Sequence, residues 1–229
     1  MSSCCSNACA AIEKKFGERV ARRELANYLQ KGPGPTTKLL RDGLAAGGGP
    51  IETLLDVGAG IGSLTFELLE RGVQRAVCVD ASAAFVAAGQ GEAARRARAE
   101  RIEWIHGDYA ALAAGLAPAD AVTLDRVVCC YPRYQPLLDS AAKHARRCLA
   151  LSYPRDVWWV RVVLASQNAL RALTGAEFRT FVHPAGKMEQ LIRSRGFTLL
   201  TRRLTWVWCA DVYVRAGTQP EPGRGVSIR

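Results

Sequence analysis

The sequence predicts an α/β protein with a doubly wound, largely parallel sheet and an N-terminal helical cap. Between residues 50 and 155, short apolar runs alternate with helix-like segments, a pattern typical of repeated strand–helix–strand units. A glycine-rich turn follows the first apolar run. Aspartates lie at or near the ends of four runs, at the sheet edge where such folds bind their ligands.

The length and composition fit one large globular domain, or one domain with an appended segment. The chain has 229 residues, of which 49% are hydrophobic. No apolar run approaches the roughly 20 residues of a membrane span. The N-terminus also lacks the charged start and apolar core of a secretory signal, so we expect a cytoplasmic location. The eight cysteines include no CxxC pair, which predicts reduced thiols and no metal site.

The formal net charge of +10 leaves three interpretations open. Most of the excess is arginine on helix-like segments near residues 19–23, 95–98 and 146–147, which favours solvated helix faces. A basic balance also suits nucleic acid or an anionic substrate.

The first 49 residues predict a helical cap or lid. Residues 11–30 carry an apolar stripe of helical spacing, KGPGP at 31–35 ends that helix, and a second helix covers 36–45. GGGP at 47–50 is then a flexible joint before the first strand, so the main domain is expected at residues 50–216. The tail at 217–229 is rich in proline and glycine, and we expect it to be disordered.

Within the main domain, five strands and three intervening helices are expected, followed by helix, loop and helix at 157–195. An antiparallel hairpin at 196–216 is expected at the sheet edge. The predicted strands are the run ending in Asp56 and residues 75–80, 102–108, 120–128 and 148–154, and the helices are 63–70, 81–99 and 136–147.

The turn after the first strand has the chemistry of a ligand cradle. Gly58, Gly60 and Gly62 permit positive φ and allow a ligand to approach the backbone closely. Asp80, at the end of the second strand, suits ribose hydroxyls, because a carboxylate accepts two hydrogen bonds. Nicotinamide dinucleotides and S-adenosylmethionine both fit this arrangement. The GxGxG spacing differs from the GxGxxG of dinucleotide turns, and Asp56 would repel a pyrophosphate but suits an ammonium group.

Four motifs in this order, DVGAGIGSLT, VDAS, HGDY and LDRVV, resemble the class I S-adenosylmethionine-dependent methyltransferases. The resemblance implies a Rossmann-like seven-stranded sheet and a methyl transfer that leaves S-adenosylhomocysteine. It further implies that the glycine turn holds the methionine part, Asp80 the ribose, Asp108 and Tyr109 the adenine side, and Asp125 and Arg126 the methionine side. The cofactor-binding candidates are Asp56, Gly58, Ala59, Gly60, Gly62, Asp80, Ala81, Asp108, Tyr109, Asp125 and Arg126.

A looser likeness covers most of the chain. FGERVARRELANYLQKGPGPTTKLL and FVHPAGKMEQLIRSRGF are similar to segments of the magnesium-protoporphyrin O-methyltransferases. That family's proposed catalytic tyrosine falls here at Phe16 and its proposed histidine at Cys130, whereas a later histidine is kept as His183. We therefore expect a relative with a different acceptor, an anionic or aromatic small molecule.

Three residues are candidates for the chemistry. His183 is the natural base, Cys130 offers a thiolate where this fold brings the acceptor to the cofactor, and Tyr28 is a candidate lid residue. With Cys4, Cys5 and Cys9 on the cap, a soft-element acceptor such as arsenic or selenium is an alternative.

Two other functions stay open. An RNA methyltransferase is favoured by the charge, although there is no appended RNA-binding module and no Asn/Asp-Pro-Pro-aromatic run. A catalytically altered cofactor-binding scaffold is favoured by Phe16 and Cys130. The sequence leaves the oligomeric state open.

Overall fold

The computed structural model describes residues 7–47 and 49–217, which form a seven-stranded mixed sheet with helices on both faces. The predictions for Cys4, Cys5 and the tail beyond residue 217 lie outside the described residues, as does the side chain of Cys9. In the described ranges, no helix combines the length and apolarity needed to cross a membrane.

The sheet has the strand order β3-β2-β1-β4-β5-β7-β6. Strands β1 to β5 pair in parallel, and β7 is antiparallel to both β5 and β6. The predicted doubly wound fold and its seven strands are therefore confirmed. The strands are β1 Thr53–Val57, β2 Arg75–Asp80, β3 Ile102–His106, β4 Ala119–Asp125, β5 Ala145–Pro154, β6 Phe197–Leu204 and β7 Trp208–Arg215.

The helices and strands follow the predicted segments, except for one helix and one strand near the site. The helix expected over 11–30 is two helices, because Gly17 takes an extended conformation and begins the second one. The fourth strand ends at Asp125 rather than at residue 128, because Arg126 turns the chain with φ 62° into a 3₁₀ turn at Val128–Cys130. The helices are α1 Asn7–Lys15, α2 Glu18–Lys31, α3 Pro35–Ala45, α4 Ser63–Leu69, α5 Ala83–Arg95, α6 Tyr109–Leu112, α7 Tyr134–His144, α8 Trp158–Leu173 and α9 Ala185–Ser194.

Helix α3 belongs to the body of the domain, in contrast to the expected cap that includes it. Leu40 and Leu44 are fully buried and share a core cluster with Ala150, Ala210 and Val212 of the sheet. Burial of the two leucines fixes α3 on the sheet.

Helix α1 lies across the carboxyl ends of β2 and β3. The Glu13 carboxylate accepts a hydrogen bond from the Ala83 amide at 3.1 Å and contacts His106 Nε2 at 2.9 Å. The Ser82 hydroxyl donates to the Phe16 carbonyl at 2.6 Å. These polar contacts bring Phe16 to the edge of the sheet where the glycine turn lies.

We predict that Leu40→Ala lowers the free energy of unfolding by about 2–5 kcal/mol, because it opens a cavity in the core under α3. Leu29→Ala is the matched control, since that leucine is 49% exposed and should change stability by less than about 0.5 kcal/mol. Urea denaturation of both variants measures the difference. Equal and small effects would mean that α3 is a detachable lid.

Candidate active site

A cavity of about 340 Å³ opens at the carboxyl ends of β1, β2 and β4. This volume is in the range of small-molecule sites. The glycine turn and strand ends line one side, and α8 with residues 178–180 lines the other. Phe16 and Glu24 line it from the N-terminal segment.

The glycine turn requires glycine for steric reasons. Gly58, Gly60 and Gly62 have φ values of 63°, 58° and 82°. A Cβ on Gly58 would lie 2.4 Å from Val127, and one on Gly62 would lie 2.7 Å from the Trp104 ring. Gly58, Ala59 and Gly60 line the cavity, whereas Gly62 does not. Gly62 therefore serves the packing beneath the turn, which corrects its expected place in the ligand cradle.

Asp80 connects the glycine turn to the end of β2. Its Oδ2 accepts a hydrogen bond from the Gly60 amide and its Oδ1 accepts one from the Ser82 amide, both at 2.8 Å. Burial raises the pKa of Asp80, while the two backbone bonds oppose that shift. A carboxylate oxygen accepts more than one hydrogen bond, so Asp80 retains acceptor capacity toward the cavity. Ala81 lines the cavity next to it.

Asp56 is buried at the base of the cavity and is 2% exposed. Its Oδ1 accepts a hydrogen bond from the Thr123 hydroxyl at 2.6 Å, and its Oδ2 accepts one from Thr65 at 2.8 Å. Burial raises the pKa of Asp56 to about 6, against the lowering effect of the two hydroxyls. The sequence alone indicated an ammonium partner for this carboxylate, and the structure adds two threonines that fix β1, β4 and α4 around it.

Asp125 and Arg126 end β4 in a strained turn. Asp125 accepts hydrogen bonds from the hydroxyls of Thr37 and Ser152, both at 2.6 Å. Arg126 has φ 62°, its amide donates to Ser152 at 2.8 Å, and its side chain is half-exposed. A non-glycine residue in this conformation is costly and is most often found at functional sites. Both residues line the cavity, as their motif predicts.

Asp108 and Tyr109 have different positions. The Asp108 carboxylate caps α6 through the Ala110 amide at 3.0 Å and accepts the Tyr131 hydroxyl at 2.7 Å. It does not line the cavity, whereas Tyr109 and Tyr131 do. Both of these contacts use the Oδ1 atom of Asp108, and the expected contact of this residue with the adenine side stays a prediction. Asp108 positions Tyr131.

His183 is not among the residues that line the cavity, so the geometry does not support its expected role as a base, which stays a prediction. It is 8% exposed, and its Nε2 donates to the carbonyls of Tyr131 at 2.9 Å and Val128 at 3.2 Å. Its ring packs against Tyr134 and Phe181. Burial lowers the pKa of His183, while the two carbonyls oppose the shift. The histidine therefore holds the 3₁₀ turn after β4 in place.

Tyr28 is also not among the cavity-lining residues, so its expected lid role has no support from the geometry and stays a prediction. Its hydroxyl donates to Glu67 at 3.2 Å and its ring stacks on Phe66. Burial raises the pKa of Tyr28 to about 12, against the nearby Arg96 guanidinium. The residue packs α2 against α4.

Cys130 is the catalytic candidate that does line the cavity. Its Sγ is 3.6 Å from the Arg126 carbonyl, and the neighbouring Cys129 is buried. The Cys129 thiol lowers the pKa of Cys130, helped by the guanidinium groups of Arg126 and Arg171 and opposed by burial. A lowered pKa raises the fraction of cysteine present as thiolate, which is the reactive form of this side chain. Within the described ranges, no cluster of three or more His, Cys, Asp or Glu residues could hold a metal ion.

Several cavity residues have no motif that marks them in the sequence. They come from segments distant along the chain, and only the fold brings them together. Phe16 is the exception, because its place in the family pattern draws attention to it. The residues that the sequence did not mark include Glu24, Thr37, Phe85, Leu164, Gln167, Arg171, Phe178 and Thr180.

The charges around the cavity favour a cationic ligand. Its carboxylates outnumber its guanidinium groups, which are those of Arg126 and Arg171. A pyrophosphate would be repelled by this set, whereas a sulfonium and an ammonium group would be attracted. The carboxylates are those of Glu24, Asp56, Asp80 and Asp125.

Residues 54–151 match the family profile described as a methyltransferase domain. This stretch, which runs from β1 into β5, is similar to that family. Such a domain implies S-adenosylmethionine as the cofactor. A search of curated proteins finds no match.

Solved structures share the class I methyltransferase fold over most of the chain. Magnesium protoporphyrin IX methyltransferase from Synechocystis PCC 6803 with bound S-adenosylhomocysteine is 19% identical, with a TM-score of 0.73, covering 92% of this chain and 100% of that one. Geranyl diphosphate C-methyltransferase from Streptomyces coelicolor A3(2) is 13% identical, with a TM-score of 0.67, covering 93% and 99%.

We predict that Asp56 makes stability depend on pH. Its pKa of about 6 in the folded state exceeds the ordinary 3.8, so its contribution is largest below pH 4 and is lost as pH rises through 6. Relative to Asp56→Asn, which cannot titrate there, the wild type should lose about 2 kcal/mol of its free energy of unfolding between pH 4 and pH 7. Urea denaturation at several pH values in this range measures the free energy of unfolding of both proteins. The same pH dependence in the wild type and in Asp56→Asn would contradict the raised pKa of Asp56.

We predict that His183→Ala lowers the free energy of unfolding by about 2–4 kcal/mol, since it leaves a cavity and an unpaired carbonyl. The affinity for S-adenosylhomocysteine in the folded variant should stay within about twofold. His183→Gln, which retains an N–H donor, should recover part of the loss. Denaturation and calorimetric titration measure both quantities, and weakened cofactor binding at unchanged stability would restore a direct role.

Proposed function

We propose that the protein transfers a methyl group from S-adenosylmethionine to a small-molecule acceptor by in-line displacement. The observation that carries this proposal is the Asp80 carboxylate, which is bonded to the glycine turn and to the start of α5 and borders the cavity. In this arrangement the Asp80 carboxylate is a fixed acceptor for the two ribose hydroxyls of the cofactor. The glycine turn beside it lets the cofactor approach the protein backbone closely.

The proposed cofactor contacts follow the cavity from one end to the other. Asp80 and Ala81 bind the ribose, and Tyr109 with Tyr131 borders the adenine. The methionine part lies at the turn formed by Gly58, Ala59 and Gly60, with Asp125 and Arg126 beside it. The negative lining stabilises the sulfonium and the ammonium group.

The acceptor side of the cavity is more apolar. Phe16, Phe178 and Trp208 line it, and Cys130 is the proposed group that contacts the acceptor. An apolar enclosure excludes water and holds the acceptor in line with the methyl group, which is the main task of such an enzyme. Where the acceptor needs to lose a proton, the lowered pKa of Cys130 suits it to receive that proton.

A small-molecule acceptor is supported over RNA by the position of the charges. Many arginines outside the cavity are ion-paired, for example Arg96 with Glu92 and Arg195 with Asp139. Solvated, paired helix faces therefore account for much of the basic excess. The two structural neighbours described above are named for small-molecule acceptors, a porphyrin and geranyl diphosphate.

The two alternatives predict different results. An RNA methyltransferase should bind RNA with a steep dependence on salt concentration. A catalytically altered scaffold should bind S-adenosylmethionine without turnover across a broad panel of acceptors. We further propose that the methyltransferase domain begins at α3, since α3 is packed into the core of the sheet.

We predict that the purified protein binds S-adenosylhomocysteine in a calorimetric titration and that Asp80→Asn weakens binding about 10- to 100-fold. The asparagine loses a charged acceptor for the ribose hydroxyls, a contact of about 1.5–3 kcal/mol. Asp139→Asn is the control, because that carboxylate pairs with Lys143 and Arg195 on the surface. Absence of binding by the wild type would overturn the proposed function.

A further inference from the structure

Arg171 presents a guanidinium group to the acceptor side of the cavity. It lies on the inner face of α8, where Val160 and Leu164 are buried and Leu164, Gln167 and Arg171 line the cavity. The opposite face of the same helix is exposed, as Trp158 at 76% and Leu173 at 85% illustrate. The helix therefore directs Arg171 inward by its register.

The guanidinium is held in a fixed position. Its Nη1 donates to the Thr180 hydroxyl at 2.9 Å and to Asn168 Oδ1 at 3.2 Å. Asn168 in turn bonds the backbone of Thr180 in both directions, at 2.7 Å and 3.0 Å. The guanidinium also lies 5.3 Å from the centre of the Phe178 ring. Arginine held in this way is pre-organised for a planar anion.

Among the residues that the structure describes, no carboxylate forms an ion pair with Arg171. Arg41 and Arg202, which are also partly buried, do have carboxylate partners, with Glu67 at 2.6 Å and Asp211 at 2.7 Å. Arg155 and Arg179 donate to backbone carbonyls instead, but neither of them lines the cavity as Arg171 does. A cationic group next to apolar side chains is costly unless an anion accompanies it. Arg171 thus adds a fixed positive charge to a cavity whose other charged groups are mostly carboxylates, and no described carboxylate lies within ion-pair distance of its guanidinium.

Arg171 is on the side of the cavity away from the glycine turn. Three aromatic rings form a chain of contacts between Arg171 and the turn. Phe178 packs edge-on against Phe16, with ring centres 5.4 Å apart, and Phe16 packs edge-on against Phe85, with ring centres 5.7 Å apart. Phe85 then borders Gly60, where a Cβ would lie 3.5 Å from its ring. The ring series therefore lies between Arg171 and the glycine turn, while Arg171 and Arg126 both act on the pKa of Cys130.

We propose that Arg171 binds the anionic group of a largely apolar acceptor, a carboxylate or a phosphate that anchors the molecule while another of its atoms receives the methyl group. The inference rests on the proposed function and adds the substrate class. The aromatic rings of Phe16, Phe178 and Trp208 contact the apolar body of the acceptor. The anion and Arg171 fix its orientation relative to Cys130 and the methyl donor.

The test uses the full chain saturated with S-adenosylhomocysteine, with 2-naphthoate as the anionic probe and 2-naphthamide as its neutral counterpart. Ligand-detected NMR titrations at fixed ionic strength give both affinities. The wild type should bind 2-naphthoate at least about tenfold more tightly than 2-naphthamide. Arg171→Gln should abolish this preference and Arg171→Lys should retain part of it. Arg161→Gln is the control, because Arg161 lies on the outer face of α8 and pairs with Asp156.

The outcomes separate the two proposals. Failure of S-adenosylhomocysteine to bind before any probe is added overturns the proposed function. If the cofactor product binds but the wild type does not prefer 2-naphthoate, the anionic acceptor is refuted and the proposed function survives. An unchanged preference in Arg171→Gln also refutes it. Weaker S-adenosylhomocysteine binding by Arg171→Gln with no change in probe affinity would assign the arginine to the methyl donor instead.

Discussion

The site depends on one carboxylate that accepts hydrogen bonds from two backbone amides. Asp80 joins the Gly60 amide of the glycine turn to the Ser82 amide before α5. Through Ser82, whose hydroxyl donates to the Phe16 carbonyl, the same junction holds the N-terminal segment over the cavity. The turn, the ribose acceptor and the start of the acceptor side therefore share one set of contacts, and a change at Asp80 should affect all of them.

A second layer of buried carboxylates supports this junction from below. Asp56 is held by Thr65 and Thr123, and Asp125 by Thr37 and Ser152. The hydroxyls satisfy the carboxylates without neutralising them, so the base of the cavity retains its negative character. A cationic methyl donor is stabilised by that field, while the cost of keeping buried Asp56 ionised is borne by the fold.

Sequence reasoning predicted the sheet, the glycine turn and most strand-end residues, because those features depend on local patterns. It failed where a side chain's direction is decided by packing. His183 stands before a proline in a loop, yet the carbonyls after β4 hold it in the core. Asp108 caps α6 and accepts the Tyr131 hydroxyl, two contacts that its motif does not predict. Arg171 belongs to no sequence motif. Its place in the cavity depends on the packing of residues 178–180 against α8, which a sequence pattern does not predict.

The most direct test of this account is a crystal structure of the protein with S-adenosylhomocysteine. We expect both ribose hydroxyls to lie within about 3.2 Å of the Asp80 carboxylate oxygens, with the sulfur facing the side of the cavity that holds Cys130. A bound S-adenosylhomocysteine whose ribose lies away from Asp80, or whose sulfur faces solvent, would contradict the account.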